Sequence, residues 1–348
     1  GAIFIQQTNG AFAIKPSPAF AADLMCEDTA AEFLDIDGDK DMDLYVGSGG
    51  YEFSLDDKLL QHRLYLNDGR GNFSKKMTGL PAMAISAGTV KAGDLNRDGF
   101  TDLFVGGRVT PGRYPVAPES MILMNDGKGN FSDRTSSVAP AAKNAGMVTD
   151  ALWIDLNKDK FDDLIIVGEW MPIKVFLNNK GKLVDASSTY IKFGSSGWWN
   201  RIFADDMDGD GDKDLVIGNL GLNAQFRATE KEPLRLYYKD FDDNGSVDPI
   251  FCYYIDGVSY PAASRDDLVD QLPVLKNKFL EYHKYATATI SDLFTADELK
   301  DAAILETKIL ETVYLENTGS GFNLRKLPAE VQFAPVYGIA SIDANKDG

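Results

Sequence analysis

Short apolar runs recur along the chain: Leu44-Tyr45-Val46, Leu103-Phe104-Val105, Leu164-Ile165-Ile166 and Leu215-Val216-Ile217, each directly after an aspartate, and Ile250-Phe251, with one residue between it and Asp248. They are rich in β-branched and aromatic residues and read as strands. A second pattern lies between them. Leu64 to Phe73 and Leu123 to Phe131 read as strand, Asp-Gly turn, strand, with weaker copies at 175–181 and 313–319 and another at 5–12. Asn-Gly and Asp-Gly supply the positive φ of tight hairpin turns. One stretch breaks the β rhythm. Leu268, Leu272, Leu275, Phe279 and Tyr282 recur at helical spacing, Pro273 is expected to divide them, and Thr295 with Glu298 forms a capping box for a further helix.

In front of each apolar run sits an acidic loop in one frame. Asp206, Asp208, Asp210 and Asp214 occupy positions 1, 3, 5 and 9. The same frame gives Asp35, Asp37, Asp39, Asp43; Asp94, Asn96, Asp98, Asp102; Asp155, Asn157, Asp159, Asp163; and Asp240, Asp242, Asn244, Asp248. A sixth copy starts at Asp343, Asn345 and Asp347 and reaches the end of the chain at Gly348. Carboxylates this close repel each other unless a cation lies among them, and calcium takes six to eight oxygen ligands in irregular geometry. The expected ligands are those side chains plus the backbone carbonyl at position 7, which is Asp41, Phe100, Phe161, Asp212 or Ser246. About five calcium ions are expected. These are not EF-hands, which need a bidentate Glu at position 12; here that position holds Val46, Val105, Ile166, Ile217 and Phe251.

The loops begin 59, 61, 51, 34 and 103 residues apart. Steps of 50 to 60 suit a four-stranded propeller blade, the step of 34 suggests a trimmed blade, and the last implies an insertion. The expected architecture is therefore all-β: one β-propeller domain over residues 1–348, with six repeats visible and six or seven blades. A helical insertion at 264–306 lies within it, and the N-terminal hairpin helps to close the ring.

Composition adds limits. The net charge is −18, and five calcium ions would bring it to about −8. This argues against nucleic acid as a partner, which needs a basic face. No stretch is long and apolar enough for a membrane span. The chain opens on Gly1-Ala2 and stops within a motif, so both ends are expected to be cut, with targeting segments lying outside. Cys26 and Cys252 are expected to be buried free thiols, with a single long-range disulfide as the alternative.

With both repeated words on the page, the chain resembles the FG-GAP and VCBS repeat proteins, which form integrin-like propellers with calcium in D-x-D-x-D-G-x-x-D-L loops. Asp206 to Leu215 matches every fixed position, and Asp94 to Leu103 departs only at Asn96. Gly197-Trp198-Trp199-Asn200, Gly218 to Asn223, Ser264-Arg265-Asp266, Tyr260-Pro261 and Ala334 to Gly338 resemble bacterial surface members related to the ASPIC/UnbV and cartilage acidic protein group. The resemblance implies an extracytoplasmic protein of a Bacteroidetes-like bacterium: outer-membrane surface, periplasmic or secreted, with a possible lipid anchor outside this chain.

A search for catalytic words finds no Gly-x-Ser-x-Gly elbow, no His-Glu-x-x-His and no Walker loop. His62 and His283 are expected to be surface residues rather than catalysts. Trp198 and Trp199 are adjacent, so in a strand they face opposite ways, and an exposed Trp suits stacking on a sugar or partner; core packing of both is the competing expectation. Arg108, Arg113, Tyr114 and Trp170 are weaker candidates. The expected function is a calcium-binding module or scaffold for a glycan or protein partner rather than an enzyme. The alternatives are a polysaccharide-active enzyme with calcium-assisted binding, and a protein-interaction platform built on the helical insertion.

Overall fold

The computed structural model describes residues 1–342; the sixth acidic copy at Asp343, Asn345, Asp347 and Gly348 lies outside them. The fold is all-β, in antiparallel sheets with few and short helices. The described residues divide into two compact units, residues 1–112, 117–166 and 174–186 in one, and 113–116, 167–173 and 187–342 in the other.

The first unit holds a small hairpin, β1 (Ile3–Gln6) and β2 (Phe12–Lys15), followed by three sheets in simple strand order. The first sheet is β3 (Glu27–Leu34), β4 (Asp43–Gly49), β5 (Arg63–Asn67) and β6 (Phe73–Lys76). The second is β7 (Ser86–Gly93), β8 (Asp102–Val109), β9 (Met121–Asn125) and β10 (Phe131–Asp133). The third is β11 (Met147–Ile154), β12 (Asp163–Met171), β13 (Lys174–Asn178) and β14 (Leu183–Asp185). In each, the acidic loop joins the first strand to the second. That second strand is buried on both faces, which is why it reads as a continuous apolar run and not an alternating one. Core residues such as Tyr45, Leu64, Val90, Leu103 and Leu123 form one cluster. Glycine permits the close approach: a Cβ on Gly106 would lie 2.5 Å from Cγ1 of Val148.

In the second unit the end of β12 pairs with β15 (Gly197–Trp198). The fourth sheet runs β16 (Arg201–Asp205), β17 (Asp214–Gly218), then β22 (Val313–Asn317) and β23 (Phe322–Lys326). Between β17 and β22 a complete fifth sheet is inserted: β18 (Leu234–Lys239), β19 (Asp248–Ile255), β20 (Val258–Pro261) and β21 (Ala303–Thr307), ordered β20-β19-β18-β21. The expectation of a trimmed blade is therefore corrected. The fourth sheet has its full set of strands, and its hairpin is the copy at 313–319, displaced along the chain by the inserted sheet.

The helical stretch is part of this insertion. Four short α-helices (Arg265–Gln271, Tyr282–Tyr285, Ile290–Leu293, Ala296–Leu299) and a 3-10 turn at Pro273–Asn277 cover one face of the fifth sheet. Leu268, Leu272, Leu275 and Phe279 pack there against Ile250 and Cys252. The break falls at Pro273, and the Thr295–Glu298 capping box is formed in both directions. Residues 303–307 are strand rather than helix, because their apolar positions pair with β18.

Candidate functional site

The five acidic loops share one backbone solution. Positions 4 and 6 take positive φ in every loop: Gly38 and Lys40, Arg97 and Gly99, Lys158 and Lys160, Gly209 and Gly211, Asp243 and Gly245. The first Asp fixes this shape by accepting two backbone N–H groups. Asp35 takes Gly38 and Lys40 at 2.7 and 3.1 Å, and Asp206 takes Gly209 and Gly211 at 2.8 and 3.0 Å. Asp240 takes Asn244 and Gly245 at 3.0 and 2.7 Å.

The loops bring their carboxylates together. Ligand atoms of Asp35, Asp37 and Asp39 lie within 4.8 Å of one another, as do those of Asp206, Asp208 and Asp210, and of Asp240, Asp242 and Asp248. In the second and third loops an amide stands at position 3. Asn96 Nδ2 donates to Asp98 at 2.8 Å and Asn157 Nδ2 to Asp159 at 3.0 Å. Asp37 Oδ1 and Asp242 Oδ1, both at position 3, are buried with no hydrogen-bond donor among the described residues. A buried carboxylate oxygen without a donor is costly unless a cation meets it. An all-oxygen set with such an orphaned atom fits calcium.

The ninth position does more than offer a ligand oxygen. Asp43, Asp102, Asp163, Asp214 and Asp248 are all buried. In the first four loops one oxygen accepts the N–H of loop position 2, and the other accepts the N–H of an asparagine in the same sheet's hairpin. Those asparagines are Asn67, Asn125, Asn178 and Asn317. Burial pushes the Asp102 carboxyl up to about 7 and that of Asp163 to about 6, against the pull of these N–H donors. In these four loops the ninth aspartate thus staples loop to hairpin. The hairpin asparagine stands in each of these four words, as Leu66-Asn67, Met124-Asn125, Leu177-Asn178 and Glu316-Asn317, a signal present in the sequence but passed over there. At position 7, Phe100 packs its ring where a Cβ on Gly127 would lie, 2.4 Å away.

Aromatic residues gather in the second unit. Trp199 is fully buried and its Nε1 donates to Ser195 O at 3.0 Å, which removes it from the stacking candidates. Trp198 is half-buried, with its ring 4.9 Å from Trp170, 5.8 Å from Phe251 and 6.3 Å from Phe226. Trp170 holds φ 57, an uncommon conformation for a bulky side chain. Its Nε1 donates to Tyr114 Oη at 2.9 Å, and that hydroxyl donates to Glu169 at 2.9 Å. Trp170 also borders a cleft of about 590 Å³ that includes Ile173, Ser196, Glu306 and Lys308.

Other expectations shift. His62 is buried, not on the surface: Nδ1 meets Tyr45 Oη at 2.6 Å and Nε2 meets Ile85 O at 2.9 Å. His283 is exposed, as expected. Both cysteines are free, and burial pushes the Cys252 thiol up to about 12. The words quoted for family resemblance have structural roles. Ser264 caps a helix, Arg265 lies over the Tyr282 ring at 4.8 Å, and Val336 N donates to Asn219 O at 3.0 Å, joining the two distant motifs. No helix among the described residues is long and apolar enough to cross a membrane.

Repeated four-stranded antiparallel sheets, each with an acidic loop between its first two strands, define a β-repeat protein. Residues 35–105 and 155–217 match the FG-GAP-like repeat, so the chain carries FG-GAP-like repeats over those two segments. It is 29% identical over 228 residues to the phosphatidylinositol-glycan-specific phospholipase D of Rattus norvegicus. It is 28% identical over 225 residues to that of Mus musculus. Each match covers 53% of this chain and 26% of the enzyme, so the chain spans about a quarter of the length of these relatives. A solved lectin of Agrocybe aegerita, described as recognising non-reducing terminal N-acetylglucosamine, is similar at 16% identity and a TM-score of 0.29. That alignment covers 95% of this chain and 89% of the lectin, and at that score it carries no argument.

Proposed function

We propose that this chain is a calcium-stabilised β-propeller that works outside the cytoplasm as a binding module for a glycan or protein partner. The observation that carries the calcium reading is the pair of buried, donorless oxygens, Asp37 Oδ1 and Asp242 Oδ1, each within a cluster of carboxylates. In the first loop Asp35, Asp37 and Asp39 would hold the ion, in the fourth Asp206, Asp208 and Asp210, and in the fifth Asp240, Asp242 and Asp248. Asp94, Asn96 and Asp98, and Asp155, Asn157 and Asp159, offer the same frame in the second and third loops. Bound calcium supplies positive charge that offsets the repulsion among the carboxylates, and because it favours the folded loops it adds to stability.

The partner-binding surface we favour is the cleft lined by Trp170, together with the half-buried Trp198 ring that packs against Trp170. Aromatic faces with nearby hydroxyl and carboxylate groups suit sugar stacking and interface anchoring alike. A glycan-binding and glycan-cleavage screen on calcium-loaded protein tests this. Binding without turnover that is lost in Trp198→Ala supports the module. Turnover overturns it in favour of an enzyme, and silence in both assays moves the search to protein partners at the helical insertion.

A further inference from the structure

Two hairpin asparagines of the first unit, Asn125 and Asn178, reach beyond their own loops. Ile36, at position 2 of the first loop, is buried between Asp35 and Asp37, and its carbonyl accepts Nδ2 of Asn125 at 3.0 Å. The backbone N–H of Asn125 donates to Oδ1 of Asp102 in the second loop at 2.9 Å, and Oδ2 of Asp102 takes the N–H of Leu95 at 3.2 Å. The Leu95 carbonyl accepts Nδ2 of Asn178 at 2.8 Å, and the Asn178 N–H donates to Oδ1 of Asp163 in the third loop at 2.7 Å. A single relay of hydrogen bonds therefore runs from the first loop to the third, and all of these residues are buried. Packing follows the same route. A Cβ on Gly129 would lie 3.0 Å from Cγ2 of Ile36, and one on Gly181 3.3 Å from Cβ of Asn96.

The fourth loop provides an internal contrast. Asn317 donates its N–H to Asp214 at 2.8 Å, as its counterparts do, and its Nδ2 turns back to Lys213 O of the same loop at 3.2 Å; Asn178 makes the equivalent bond to Asp162 O at 3.0 Å but adds the one to Leu95 O of the preceding loop. Asn67 likewise points Nδ2 to Met42 O in its own loop.

We propose that the first three loops load calcium as a coupled set through Asn125 and Asn178, an inference that rests on the calcium reading above. An ion held by Asp35 and Asp37 fixes the peptide between them, and so the carbonyl that orients Asn125. Asn125 in turn aligns the Asp102–Leu95 segment of the second loop, and Asn178 passes the alignment to the third. In a buried setting a misaligned hydrogen bond is expensive, so each filled loop favours the aligned form of the next. The coupling is reciprocal by linkage.

The test uses the full chain with calcium as the probe. Asp37→Asn removes a ligand charge at an oxygen that makes no hydrogen bond, so the fold is kept. Hydrogen exchange of peptides spanning 94–102 and 155–163 is followed through a calcium titration. In Asp37→Asn the calcium midpoint for protecting both segments is expected to rise about fivefold. In Asp208→Asn, on the fourth loop, it is expected to stay put. Asn178→Ser should leave the second loop responsive to Asp37→Asn and release the third. Unchanged midpoints in Asp37→Asn, or equal shifts from Asp208→Asn, overturn the coupling. Equilibrium dialysis of the wild-type chain separates the two claims: no bound calcium rejects the calcium reading and the coupling with it, whereas bound calcium with unchanged midpoints rejects only the coupling.

Discussion

The backbone N–H of Asn178 donates to Oδ1 of Asp163 at 2.7 Å, while Oδ2 of the same carboxylate takes the N–H of Leu156 at 2.9 Å. Both oxygens are thus committed in a buried site. Asp163→Asn replaces one acceptor with an amide that faces a donor. It is expected to cost about 2 to 3 kcal/mol, the range for leaving a buried polar group unmatched. Asp208→Asn, at an exposed loop position, is expected to change stability far less in calcium-free buffer. Urea unfolding of the two variants side by side checks the contrast, and equal losses would remove the special role of the ninth position.

Calcium removal is the second expectation. Each ion that binds only the folded chain stabilises it by roughly 2.7 kcal/mol at a hundred times its Kd. With several sites, excess chelator should lower Tm by many degrees, and calcium, not magnesium, should restore it. A Tm indifferent to chelator contradicts a structural role for the metal.

His62 makes stability sensitive to acid. Burial pushes its imidazole down to about 4, helped by the charge of Arg63 and opposed by the Ile85 carbonyl. The unfolded chain, with an ordinary histidine near 6.5, takes up the proton first. The contribution is therefore complete above about pH 6.5 and is lost as pH falls toward 4, on the order of 3 kcal/mol. Unfolding free energy measured across that window should show the slope in wild type and a shallower one in His62→Gln.

Lys160 holds φ 76 at a position where the second, fourth and fifth loops place glycine. A left-handed conformation costs an L residue about 1 to 2 kcal/mol, partly offset by the greater unfolded freedom of glycine. Lys160→Gly is expected to be neutral to stabilising by up to about 1 kcal/mol, read as a rise in Tm. A clear loss would show that the lysine side chain contributes something the backbone does not.

The two tryptophans should separate. Trp199 is fully buried, so Trp199→Ala is expected to cost about 3 to 5 kcal/mol. Trp198→Ala removes a half-buried ring that packs against Trp170 and is expected to cost less while weakening binding of a ligand that stacks there. Thermal melts with a parallel binding assay distinguish them.

The sequence alone determined the repeat frame, the loop-to-strand order, the helical stretch broken at Pro273 and the oxygen chemistry of the loops. These are local. Alternate acids, positive-φ turns and apolar periodicity act over a few residues, and the chain states them wherever they occur. Only the tertiary structure decided which strands complete the fourth sheet, because β17 and β22 pair across an inserted sheet and no short-range pattern records that partnership. It also decided that the ninth aspartates of the first four loops are staples, that His62 is buried and that Trp198, not Trp199, keeps a partly exposed ring. Each of these depends on what packs opposite the residue, and for Asp163 that partner is Asn178, supplied by the hairpin of the same sheet.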